Sequence, residues 1–69
     1  MIKFHLKELL QQQNISQNEF ARITGVRPNT INDIVNNKIK RLEMVTLNKV
    51  LSEIIKLGYT VSDFIEYKE

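Results

Sequence analysis

Gly25 stands between two stretches whose apolar residues recur at helical spacing, and this limits what the chain can fold into more than any other feature. Upstream, Ser16 precedes Phe20, Ala21 and Ile23. Its hydroxyl suits the free N–H groups of a first turn, and Glu19, placed to reach back, would complete a capping box. Downstream, Pro28 suits a first helical turn, where its missing N–H costs nothing, and Ile31, Ile34 and Val35 form one apolar stripe. Gly25 tolerates the positive φ that a tight helix exit needs. Counting Gln17 as first of a twenty-residue unit, Ala21 is fifth, Gly25 ninth, Val26 tenth, Ile31 fifteenth and Ile34 eighteenth. A small residue at Ala21 lets two helices cross closely. Val26, Ile31 and Ile34 hold the second helix from behind, leaving Arg27, Pro28, Asn29, Thr30, Asn32, Asp33 and Asn36 on its free face.

The rest of the chain reads as more helix. Ile2, Leu6, Leu9 and Leu10 predict a first helix over about residues 2–13, with Asn14 and Ile15 as a connection. Asn36 and Asn37 close the third helix, since Asn tolerates left-handed geometry. Leu47, Val50, Leu51 and Ile54 predict a fourth helix over about residues 43–57, ended by Gly58. Thr60 and Asp63 form a second capping box, with Tyr59 and Phe64 as its hydrophobic staple, opening a short helix over about residues 61–67. The expectation is an all-α fold of five helices without strands, forming one domain over residues 1–69. A chain this short buries only ~60% of its unfolded surface. It has no cysteine, which excludes disulfides and cysteine-based zinc sites, so helix packing, helped by dimerisation, must carry the fold. No stretch reads as a signal peptide or membrane span, so the expected location is cytoplasmic and no membrane partner is expected.

The net charge of +2 is unevenly distributed. Residues 1–21 are neutral; residues 22–41 hold Arg22, Arg27, Lys38, Lys40 and Arg41 against Asp33 alone; residues 42–69 carry net −2. The basic middle suits a polyanion while the acidic end faces away. By itself this charge is equally that of an ordinary solvated surface.

Ile15-Ser16-Gln17, Phe20-Ala21, the run Thr24 to Ile31, and Ile34 together resemble the Cro/cI-type (XRE-like) helix-turn-helix domain of phage and bacterial repressors. Leu6, Leu9 and Leu10 before this run, and Leu47, Val50 and Asp63-Phe64-Ile65 after it, extend the resemblance over nearly the whole chain. Glu43 stands where the family often has Ser or Thr to cap the fourth helix, and the stretch from Leu47 to Gly58 is about three residues longer than usual. The resemblance implies a five-helix, lambda-repressor-like fold and a transcriptional regulator, in the first place a repressor. Such a protein reads double-stranded DNA as a homodimer on a palindromic operator. Carried over by position, Pro28, Asn29 and Asp33 face bases, with Arg27, Thr30 and Asn32 alongside. Asn29 suits adenine N6 and N7, Arg27 guanine O6 and N7 or a phosphate, and Pro28 a thymine methyl. For Asp33 the preferred role is one in solvent or within the chain that rejects wrong sequences; the other is to accept from cytosine N4. Gln17 matches the position that grips the DNA backbone, with Asn36, Lys38, Lys40 and Arg41 meeting phosphates on the other side.

Two other classes stay open. The domain could chiefly bind protein, as an interaction module or as the antitoxin of a toxin–antitoxin pair. Tyr59, Phe64, Ile65 and Tyr67 would then supply the surface, unless they complete the core. An enzyme is disfavoured: His5 is the single histidine, and there is no Ser/His/Asp set, phosphate loop or metal-ligand cluster. No metal and no cofactor is implied.

Overall fold

The computed structural model describes all residues from Met1 to Glu69. In chain order the elements are β1 (Ile2–Phe4), α1 (Leu6–Gln13), α2 (Gln17–Thr24), α3 (Pro28–Val35), α4 (Met44–Lys56), α5 (Val61–Phe64) and β2 (Ile65–Tyr67). The five helices agree with the periodicity of the sequence. The two strands do not: they pair antiparallel, with Ile2 opposite Tyr67, Lys3 opposite Glu66 and Phe4 opposite Ile65. The fold is therefore mostly helical rather than strictly all-α.

Each strand replaces a terminal turn of predicted helix. Ile2 and Phe4 alternate with Lys3 and His5, and Ile65 and Tyr67 alternate with Glu66 and Lys68, so both ends also carry the two-residue period of a strand. Pairing settles between the two readings. Phe4 and Phe64 rings lie 5.3 Å apart at 40°, a favourable tilted contact. His5 N–H donates to Phe64 O at 2.8 Å, and Lys68 N–H to Met1 O at 2.8 Å.

Twelve side chains are buried and all are apolar. Leu6, Phe20, Ile31, Ile34, Val50, Ile54 and Phe64 have no exposed surface. Helix α2 packs on both α3 and α4, α1 on α3, and α5 on α4. Leu47 and Leu51 pack partly buried beside this core. Ile23, expected on the apolar face of α2, is instead 48% exposed.

The caps follow local chemistry. Ser16 Oγ accepts from Glu19 N–H at 3.0 Å. Glu19 does not complete a box; its carboxylate turns to Arg22, 4.0 Å away. Thr60 and Asp63 form the full reciprocal box. Phe64 is buried, while Tyr59 stays half-buried and turns its hydroxyl to Gln12 Oε1 at 2.8 Å, accepting from Gln13 Nε2 at 3.0 Å. Glu43 is the N-cap of α4 but makes no side-chain cap bond.

Asn37 closes α3 at φ +55°. Its Oδ1 accepts from Phe4 N–H at 2.7 Å and its Nδ2 donates to Phe4 O at 3.0 Å. The amide thus fills the outer edge of β1 as a neighbouring strand would. Asn37→Gly keeps the left-handed backbone but loses both bonds, and is expected to cost about 1 kcal/mol in urea unfolding. Asn37→Ala adds backbone strain and should cost about 1 kcal/mol more.

The sheet also carries a titratable contact. His5 Nε2 donates to Glu66 Oε1 at 2.7 Å. This hydrogen bond is the main reason the Glu66 carboxyl is held below the usual range; partial desolvation opposes it, and the charges of Lys68, His5 and Lys3 assist. A depressed folded value means that the stabilisation is complete above the unfolded carboxylate range. It is lost as pH falls through the folded value. The thermal midpoint should therefore drop on acidification below about pH 4.3, and Glu66→Gln should flatten that part of the curve.

Candidate nucleic-acid interface

The α2–α3 turn is built from three consecutive residues. Thr24 Oγ1 donates to Phe20 O at 2.9 Å, with Ala21 O at 3.3 Å, and accepts from Val26 N–H at 3.2 Å. Gly25, at φ +76°, returns its N–H to Ala21 O at 2.8 Å. Val26 then enters the core at 8% exposure. The Thr24 hydroxyl therefore satisfies backbone groups on both sides of the turn. That role was not drawn from the sequence, although a Thr before a capping Gly is a signal for it.

Helix α3 begins abruptly. Arg27 is the N-cap, with an extended ψ of 138° and no side-chain cap bond, and Pro28 follows. The first-turn N–H groups of Asn29 and Thr30 thus have no capping partner in the chain, leaving the helix N-terminus open to an acceptor or anion. Behind them Ile31 and Ile34 are wholly buried. In front, Arg27, Pro28, Asn29, Asn32, Asp33 and Asn36 are exposed, and Thr30 is half-buried. The residues expected on the free face thus do share one side of α3.

Several are already arranged by neighbours. Asn32 Nδ2 donates to Gln17 Oε1 at 3.1 Å, which joins the start of α2 to the middle of α3 across the turn. Asn36 folds back, its Nδ2 donating to Asn32 O at 3.0 Å. The Asp33 carboxylate forms no ion pair or hydrogen bond within the chain; its backbone carbonyl accepts from Lys38 N–H at 2.8 Å. Beyond Asn37, Ile39 and Leu42 pack partly buried against the core, while Lys38, Lys40 and Arg41 are exposed. The basic loop is therefore anchored at two apolar points, and its cations are held beside the C-terminal end of α3.

One further cation joins this region. Lys49 on α4 shares a polar cleft with Gly25, Arg27, Thr30, Glu43 and Thr46. The stripe of α4 gave no reason to place Lys49 beside α3, because the contact depends on how the two helices cross. Arg27, Lys38, Lys40, Arg41 and Lys49 are all absent from the ion pairs of the molecule.

A helix backed by a buried stripe, a left-handed turn at Gly25 and an open helix N-terminus flanked by unpaired cations make up a helix-turn-helix. The sequence profile of the Cro/C1-type HTH DNA-binding domain matches residues 5–69. The chain belongs to that family, and carries the kind of domain found in DNA-binding transcription regulators. No curated protein matches the chain. No helix is long and apolar enough to cross a membrane, and no group of three or more His, Cys, Asp or Glu is placed to hold a metal ion.

The Gln17–Asn32 bond makes a specific demand on DNA binding. If the pair acts as one unit, the affinity losses of Gln17→Ala and Asn32→Ala will be non-additive. A double-mutant cycle is expected to give a coupling of about 0.5–1.5 kcal/mol. Strictly additive losses would mean that the two amides act independently.

Proposed function

We propose that residues 1–69 form one domain that binds a specific double-stranded DNA sequence as a homodimer and represses transcription there, with α3 in the major groove. The observation that carries this reading is the N-terminal face of α3. Its exposed polar side chains and two uncapped N–H groups project away from a helix whose back is locked by Ile31 and Ile34. Side chains near the start of such a helix reach base edges most readily.

Arg27, Pro28, Asn29, Thr30, Asn32 and Asp33 are assigned to the base-facing side. Asn29 is the best placed for bidentate pairing with adenine, because no partner within the chain holds its amide. Asn32 presents its remaining capacity from a position set by Gln17. Asp33, exposed and unpaired, disfavours alignments that bring its carboxylate against phosphate. Gln17, Asn36, Lys38, Lys40 and Arg41 are assigned to the phosphate backbone, and Lys49 joins them because it borders the same cleft as Arg27. A homodimer follows from reach: α3 has eight residues, and two half-sites about 34 Å apart multiply the sequence that two such helices can read.

Selection from random duplex DNA should recover a motif with two-fold symmetry. Asn29→Ala should then lower affinity by about 1–3 kcal/mol and relax preference at one base pair of each half-site. Lys38→Ala or Lys40→Ala should weaken binding evenly across sequences. Each should also reduce the slope of log affinity against log salt by about 1 for every phosphate that is no longer neutralised. Failure to enrich any motif at low salt would refute the proposal.

A further inference from the structure

We propose that the outer edge of β2 is a self-association surface, where a second copy of this chain adds its own β2 antiparallel to form a four-stranded sheet centred on Tyr67. The inference rests on the homodimer reading above and assigns it an interface.

The strand pairing leaves this edge open. The bonds from His5 N–H to Phe64 O and from Lys68 N–H to Met1 O set the alternation of the ladder. Residues 64, 66 and 68 therefore turn their backbone groups towards β1, and residues 65 and 67 turn theirs outward. On β1 the outward groups of Phe4 are filled by Asn37. On β2, Ile65 gives its N–H to Val61 O. That leaves the Ile65 carbonyl and both the N–H and C=O of Tyr67 facing out. An unpaired edge of this kind is a template for another strand.

Charge chooses the register. Only alignments that set outward residues opposite outward residues satisfy the ladder. Centring on Glu66 would oppose two Glu66 carboxylates at a non-hydrogen-bonded pair, where side chains stand closest. Centring on Tyr67 instead exchanges both bonds between the two Tyr67 residues and sets Glu66 opposite Lys68 of the second copy, twice by symmetry. The same alignment gives the free Ile65 carbonyl the N–H of Glu69. Apolar surface agrees with it. Ile2 and Tyr67 lie on the sheet face shared with Phe4 and Ile65, yet they overhang the core at 61% and 71% exposure. In the four-stranded sheet these four side chains become contiguous.

The spacing also suits two reading helices. Asn37, at the end of α3, occupies the strand position beside β1, so the two Asn37 residues are five strand intervals apart, about 24 Å. Each α3 extends from there by about 12 Å, which allows centres near the 34 Å of one DNA turn.

Sedimentation of the full chain from about 1 μM to about 1 mM should show a monomer–dimer equilibrium in this affinity range. Lys68→Glu replaces two attractions with two repulsions and should raise the dimer Kd about tenfold or more. Tyr67→Pro removes the outward N–H and spares every bond to β1, so it should abolish the dimer while leaving the helical circular dichroism in place, with a thermal midpoint that matches wild type at concentrations below the dimer Kd and no longer rises with concentration. Tyr67→Cys, the sole thiol of that variant, should oxidise to a linked dimer, because hydrogen-bonded antiparallel partners stand about 5.5 Å apart. A wild type that stays monomeric throughout, or a dimer that both Lys68→Glu and Tyr67→Pro leave intact, overturns the assignment; the former leaves the edge for a strand of another protein. Wild type that dimerises as described but selects no DNA motif refutes the DNA reading and leaves this edge standing. A monomeric wild type that still selects a palindrome refutes the edge alone.

Discussion

Helix α2 packs on α3, with Phe20 and Ala21 of the one and Ile31 and Ile34 of the other buried in the same core, and everything exposed on α3 depends on that packing. Burying a side chain of this size contributes about 1.5–3 kcal/mol. In a chain of 69 residues without a disulfide, no comparable source of rigidity exists. The contact requires a turn short enough to bring the helices together, which Gly25 supplies in the left-handed region. Thr24 keeps the backbone of that turn satisfied from within. The face presented by Arg27, Asn29 and Asn32 is thus aimed by packing behind it and by hydrogen bonds beside it.

The core is wholly apolar, and no buried side-chain nitrogen or oxygen lacks a partner. Polar chemistry is confined to the rim, where it ties together segments remote in sequence. Asn37 joins the end of α3 to β1, Tyr59 joins the end of α4 to α1, and Glu66 joins β2 to His5. Each is exposed and individually weak. Together they fix the two chain ends against the helices, in a molecule whose small core leaves little stability to spare.

Charge is divided along the same lines. Glu8 and Glu66 flank His5, Glu19 meets Arg22, Glu53 meets Lys56, and Asp63 serves the cap of α5. These acids belong to the fold's own scaffolding. Arg27, Lys38, Lys40, Arg41 and Lys49 make no ion pair, and with only Asp33 and Glu43 as carboxylates beside them the surroundings of α3 keep an excess of positive charge. A modest net charge of +2 therefore conceals an uneven distribution along the chain, with the basic excess between residues 22 and 41.

The sequence by itself determined the features written in relations of three or four residues. These are the Ser16 and Thr60 caps, the start of α3 at Pro28, the turn at Gly25, the buried stripe of Ile31, Ile34 and Val35, and hence the set of residues left on the free face. Only the tertiary structure decided the rest. Residues 2–4 and 65–67 fit helix and strand periods alike, and contact between the two ends of the chain chose the strand. Nothing local couples Asn37 to Phe4, Gln17 to Asn32, or Lys49 to the cleft beside Arg27. Such pairs arise from how the helices cross, and that crossing is set by the fit of the whole core rather than by any one segment of it.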